Sequence, residues 1–220
     1  MWDNDTIMML VEGTRDTLYM TLVSTLFGYV LGLPMGILLT VTDKEGIRPN
    51  AWIYKILDAV VNIMRSIPFL IFLILVMPIT KLIVGKTYGS TATIVPLVIA
   101  GAPFIARMVE SSLKEVDPGV IEAAVSMGAG TGTVIWKVLL AEARTSLLVG
   151  VTIAIGTILG YSSMAGIVGG GGLGDIATQY GYYRYQTDIM IVTIIILVVL
   201  VQILQGIGMM LSRKLDKRRA

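Results

Sequence analysis

The chain has 220 residues, of which 55% are hydrophobic and 15% charged, and its mean hydropathy is +0.81. A water-soluble domain carries about a quarter charged residues, so the solvent for most of this chain is lipid. With no cysteine and no histidine, the sequence excludes disulfides, thiolate nucleophiles, iron–sulfur clusters, histidine-built metal sites and histidine acid–base chemistry, and a net charge of +2 gives no footprint for nucleic acid.

A transmembrane helix needs about 20 apolar residues, and the stretches between charged residues supply five expected spans, at 17–42, 59–80, 87–106, 145–168 and 189–212. The segment before the first span carries Asp3, Asp5, Glu12 and Asp16 against the single base Arg15. That is the wrong charge for a cleavable leader, so nothing is expected to be removed. Within the first span Ser24, Gly28, Gly32 and Gly36 recur every four residues and line one face. Such a stripe admits a second backbone, either within the same chain or across a subunit interface. Gly156 and Gly160 repeat the spacing in the fourth span.

The second span tolerates one charge. Asp58, Asn62 and Arg65 stand at i, i+4 and i+7 on one stripe, and an arginine at mid-bilayer costs about 2.5–3.5 kcal/mol, so Arg65 must face protein or water. The stripe reads either as an intramembrane polar network or as the lining of a pathway. Gln202 and Gln205 in the last span pose the same alternative. Pro68 removes the hydrogen bond to the Met64 carbonyl and predicts a kink where the polar stripe ends.

Two glycine motifs mislead. Gly169, Gly171 and Gly174 satisfy Gly-x-Gly-x-x-Gly but follow a membrane span, not a strand of a βαβ unit. Gly85-Lys86-Thr87 imitates the end of a phosphate loop, yet position 80 is threonine where glycine is required. The chain encodes no nucleotide site, so uphill transport must draw on an ion gradient or another polypeptide.

The positive-inside bias orients the spans. With the C-terminus cytoplasmic, the inner segments hold Lys44, Arg48, Lys55, Arg107, Lys114, Lys137, Arg144 and the basic tail with Lys217, Arg218 and Arg219. The outer ones hold only Arg15, Lys81, Lys86 and Arg184. The N-terminus is therefore expected outside. Tyr180, Tyr182, Tyr183 and Tyr185 then form an aromatic belt at the outer surface.

The inner segment 109–144 is far longer than a connection requires. Asp117 followed by Pro118 starts a helix, with a carboxylate N-cap and proline at the first helical position. Gly128 stops it with a left-handed turn, and Thr131 or Thr133 can cap a second helix running through Trp136 and Lys137. A short helix with Glu122 beside Ala123 and Ala124 suits a partner's groove.

The stretch EAAVSMGAGTGTVIWKVLLAEA resembles the cytoplasmic coupling loop of the membrane-spanning subunits of bacterial ABC importers: Glu-Ala-Ala, three residues, Gly, then a hydrophobic run. It departs from the family where Leu140 is followed by Ala141 and not proline. The runs NIMRSIPFLIFLILVMPIT, IVPLVIAGAPFIARMVESSL and GYSSMAGIVGGGGLGDIATQYGYYRY are similar to methionine-importer permeases across nearly the whole chain. The glycine-rich stretch also resembles osmoprotectant permeases.

The resemblance implies an all-α, five-span bundle of the type I ABC importer kind in the bacterial inner membrane. It implies a homodimer joined to two cytoplasmic ATP-binding subunits and served by an extracytoplasmic substrate-binding protein. The permease itself is then non-catalytic and without metal or cofactor, ATP being bound by its partner. Carried over by position, Glu122, Ala123, Ala124 and Gly128 enter the ATPase groove. Tyr161, Ser162, Ser163 and Met164, beside glycines that loosen the fourth span, are candidates for the translocation pathway, since irregular backbone at that depth belongs along a cavity or inside protein. Alternatives are a permease for another amino acid or an osmoprotectant, or a gradient-driven secondary transporter. The last is expected to carry carboxylates in its spans and often inverted repeats.

Overall fold

The computed structural model describes residues 3–215; the basic residues Lys217, Arg218 and Arg219 lie outside them. Among the described residues all regular elements are helical. In chain order they are α1 (Asn4–Thr42), α2 (Ala51–Ser66), α3 (Phe69–Val84), α4 (Ser90–Lys114), α5 (Pro118–Ser126) and α6 (Thr131–Thr133). A π-helical turn (Val134–Leu139) leads to α7 (Leu140–Glu142) and α8 (Arg144–Ala165). A 3₁₀ turn (Gly166–Val168), α9 (Gly172–Ile176), a second π-helical turn (Ala177–Tyr182) and α10 (Thr187–Leu215) complete the chain.

Among the described residues four helices, α1, α4, α8 and α10, are long and apolar enough to cross a membrane, and α2 with α3 makes a fifth span if the pair counts as one. The expected 59–80 span is therefore broken. Its chain leaves the helix at Pro68 (φ −57°, ψ 131°) and re-enters at Phe69, because proline offers no hydrogen to the preceding turn. Helix α1 starts thirteen residues before the expected Thr17; Asp5 in its first turn suits the helix dipole. Helix α4 continues past 106 to Lys114, so the segment outside the spans is shorter than 109–144. Asn50 starts α2, its Oδ1 accepting from the amides of Trp52 and Ile53 at 3.1 Å each.

The chain divides into two compact units. One comprises residues 3–28, Ile67–Gly101 and Ile155–Gln205. Its core joins Leu10 of α1, Leu173 and Ile176 of α9, and Ile189 of α10. The Thr17 hydroxyl, buried in α1, donates to the Gly13 carbonyl and accepts from the Leu173 amide, both at 2.8 Å. The glycine-rich run turns here against α8: a Cβ on Gly166 or Gly174 would collide with the facing backbone of Gly174–Asp175 or of Ser163. Gly166 and Gly174 serve close packing. Gly85 is the left-handed C-cap of α3.

The other unit comprises Tyr29–Ser66, Ala102–Ala154 and residues 206–215. A Cβ on Gly32 would lie 2.7 Å from the Ala102 carbonyl oxygen, and one on Gly36 2.6 Å from that of Ala106. The glycine stripe of α1 thus receives α4 of its own chain at these two positions. In the first unit a Cβ on Gly156 would lie 2.7 Å from Gln205 Nε2, so Gly156 too serves packing within the chain. Gly160 faces open space. Leu39, Val61 and Ala106 close the core of the second unit, flanked by Met35, Tyr54 and Leu57.

Candidate functional site

Helix α5 is fixed at both ends by its sequence. Asp117 Oδ1 accepts from the Gly119 amide at 2.8 Å, and Pro118 takes the first helical position. At the other end the Gly128 amide donates to the Val125 carbonyl at 2.9 Å, and the Ala129 amide to the Ala124 carbonyl at 3.0 Å. This pair of bonds is a Schellman stop. It requires a left-handed residue between them, and Gly128 has φ +84°. Both expected boundaries of the helix are present.

Of the four residues named for a partner's groove, Glu122, Ala123 and Gly128 are exposed, but Ala124 is 7% exposed. Ala124 is buried, and α5 packs against the chain's own π-helical turn Val134–Leu139. The open side instead adds Val120, Val125 and Met127, all exposed apolar groups. Trp136 of the π-helical turn is exposed as well. The predicted threonine cap is absent: Gly130 holds the N-cap position of α6 with no side-chain bond, and Thr131 and Thr133 lie inside the helix. Where the family pattern has proline, Ala141 continues α7, and the chain breaks two residues later at Ala143 (φ −78°, ψ 0°).

The polar stripe of α2 is partly assembled. Asn62 Nδ2 donates to Asp58 Oδ2 at 3.1 Å. Both then accept from Arg107 Nη2 of α4, Asp58 at 2.6 Å and Asn62 at 2.9 Å. Arg65 is exposed and stands outside this group. The basic member is therefore Arg107, which the reading of α2 alone missed. Arg107, Glu110 and Lys114 stand at i, i+3 and i+7, a one-face spacing visible in the sequence.

The pathway candidates occupy consecutive positions of a regular helix and do not share a face. Backbone irregularity starts at Gly166, later than expected. The hydroxyls of Ser162 and Ser163 both donate to the Leu159 carbonyl, at 2.8 and 3.1 Å. Ser162 is buried, and Met164 is exposed. Tyr161 stacks on Phe69 at the start of α3, ring centroids 4.4 Å apart and 4° from parallel. Asp175 is the ionisable group of the glycine-rich turn, and burial pushes its carboxyl above the usual carboxylate range. Tyr182, Tyr183 and Tyr185 are exposed, while Tyr180 carries the Arg184 guanidinium 4.3 Å from its ring centroid.

A multi-span helical chain with a separately capped helix between two of its spans defines a class, and comparison with known proteins agrees. The chain belongs to the family of binding-protein-dependent transport system inner membrane components, which matches residues 28–217. It is thus a multi-pass membrane protein of a bacterial transport system. A probable D-methionine transport system permease protein, MetI of Vibrio cholerae, is 51% identical over 210 residues, 96% of this chain and 93% of that protein. The methionine import system permease protein MetP of Bacillus subtilis is 44% identical over 209 residues, covering 95% and 94%. Among solved structures, the MetNI methionine ABC transporter in an inward facing conformation has a chain 46% identical with a TM-score of 0.97, covering 98% of this chain and all of that one.

Proposed function

We propose that this chain is the membrane-spanning subunit of an ATP-driven importer of methionine, D- or L-, and that it moves its cargo inward by alternating access without catalytic chemistry of its own. Two copies form the translocating unit. Two ATP-binding subunits attach at the cytoplasmic side through α5, and an extracytoplasmic binding protein delivers the cargo. The N-terminus lies outside and the C-terminus inside, a placement supported by the excess of lysine and arginine in the inner segments. The methionine assignment is supported by the names of the relatives at 51% and 44% identity.

The observation that carries the coupling role is the exposed, doubly capped helix Pro118–Ser126. Its free side offers Glu122 between small and apolar groups, a surface that suits a groove with a basic residue at its edge; a charge-assisted bond partly shielded from water is about twice as strong as a neutral one. ATP binding draws the two ATP-binding subunits together, their grooves carry the α5 helices with them, and the transmembrane helices rock. Hydrolysis reverses the motion.

The test is reconstitution of the chain with its ATP-binding subunit and binding protein in vesicles. Uptake of labelled methionine is expected to follow ATP, to survive collapse of proton and sodium gradients, and to be competed by unlabelled methionine. Uptake that follows an ion gradient and ignores ATP refutes the proposal.

A further inference from the structure

Five charged side chains in the second unit form one alternating row. Asp58 Oδ1 meets Arg107 Nη2 at 2.6 Å, and Arg107 Nη1 meets Glu110 Oε2 at 2.6 Å. Lys114 Nζ lies 2.9 Å from Glu110 Oε1 and 2.6 Å from Asp43 Oδ2. The central carboxylate, Glu110, has a side chain only 3% exposed, and Asp43 at the end of the row is 16% exposed. The row joins the residue following α1, the middle of α2 and the last two turns of α4. The Tyr54 ring of α2 lies below Lys114, 5.8 Å from Nζ to centroid. Two residues separate Lys114 from Asp117, the N-cap of α5.

A row of this kind is not needed for stability. Well-packed apolar side chains of the same volume hold helices together equally well, because the attraction between buried charges is largely offset by their desolvation. What charges supply in addition is fixed register: Arg107, Asp58 and Lys114 keep partial access to solvent, but a slip leaves the buried Glu110 carboxylate without its two cationic partners. The last link sits at the end of α4, the membrane helix that leads directly into α5.

We propose that Asp43, Asp58, Glu110, Arg107 and Lys114 are positioning residues that lock the end of α1 and helix α2 to α4, so that displacement of α5 carries these helices as one body. The inference rests on the coupling role assigned to α5. It assigns to the row a place in the transport cycle in addition to any part in folding.

The experiment uses the assembled transporter in vesicles and reads methionine taken up per ATP hydrolysed. The sequence has no cysteine, so Asp43→Cys with Lys114→Cys creates a unique pair for a short thiol–thiol cross-linker. Before cross-linking, the ratio is expected to fall about fivefold, within the range of couplings such networks carry. Cross-linking is expected to restore it. Asp58→Asn, at the far end, is expected to lower the ratio and Asp58→Glu to retain it; this second pair decides the matter if the double variant does not assemble. An unchanged ratio before cross-linking, or no recovery after it, overturns the proposal. So does a loss of hydrolysis and uptake in strict proportion to assembled complex, which marks a purely structural row. ATP-driven uptake by the unmodified transporter tests the function separately, so failure of the row leaves that reading standing.

Discussion

Gly128 tests the coupling role of α5 with the least collateral change. Its φ is +84°, and a Cβ there would meet no atom within 4 Å, so a substitution acts through the backbone and not through a clash. The left-handed conformation costs an L-residue about 1–2 kcal/mol, and valine, stiff and branched at Cβ, falls at or above the upper end of that range. Since about 1.4 kcal/mol is a factor of ten, Gly128→Val shifts the balance from the capped helix end toward an unwound one by about tenfold or more. Unwinding releases the bonds from the Gly128 amide to Val125 and from the Ala129 amide to Ala124, and with them the exit direction of the hairpin. Gly128→Asn tolerates the conformation best among side chains, so the expected order of coupling is Gly, Asn, Ala, Val. The assay is methionine taken up per ATP hydrolysed in vesicles, with membrane insertion followed by yield. Insertion is expected to be equal in all four, because Gly128 is exposed. A valine variant that couples like glycine, or an asparagine variant as poor as valine, refutes the backbone argument.

Glu122→Lys reverses the charge offered to the partner's groove and is expected to lower copurification of the ATP-binding subunit about tenfold or more, a loss of roughly 1.5–3 kcal/mol for a bond to a charged group; equal recovery contradicts the assignment. Gly36→Val puts a Cβ 2.6 Å from the Ala106 carbonyl oxygen and from Val109 Cβ. Overpacking of this kind costs about 1–3 kcal/mol, so the melting midpoint in detergent should drop by several degrees, while Gly160→Val, in open space, leaves it unchanged. Asp43 is held below the usual carboxylate range chiefly by its hydrogen bond with Lys114, with smaller help from the Lys44 amide and charge and against the opposing effect of burial. A depressed folded-state value means that Asp43 stabilises the fold fully above the ordinary carboxylate pKa and loses that contribution as pH falls through the lower, folded-state value. Melting midpoints below about pH 4 should therefore decline more in the parent than in Asp43→Asn; parallel curves contradict the pairing.

Local signals in the sequence translated directly into structure where the chain's own neighbours decide the outcome. Asp117-Pro118 and Gly128 bound a helix because a cap, a fixed φ and a left-handed stop are properties of a few adjacent residues. Pro68 broke its helix for the same reason. The apolar stretches located the membrane helices but not their ends: α1 runs through Glu12, Arg15 and Asp16, and α4 through Arg107 and Glu110. Charge alone does not stop a helix when tertiary partners or the interface receive it. The stripe Gly32–Gly36 announced a close contact without naming α4 as its occupant. Arg107 was missed beside Asp58 because they are 49 residues apart in sequence. The expected loosening of α8 at Tyr161 to Met164 is not seen: the helix continues to Ala165, with the serine hydroxyls bonded back to Leu159.

The central claim is that Pro118–Ser126 meets an ATP-hydrolysing partner on the cytoplasmic side, and the absence of native cysteine makes that directly measurable. With Glu122→Cys as the only thiol of this chain, a membrane-impermeant maleimide is expected to label the chain in inside-out vesicles and not in intact cells, and its labelling is expected to fall when the ATP-binding subunit is bound. Labelling of Cys-substituted position 122 from the cell exterior, or labelling indifferent to the ATP-binding subunit, contradicts the account.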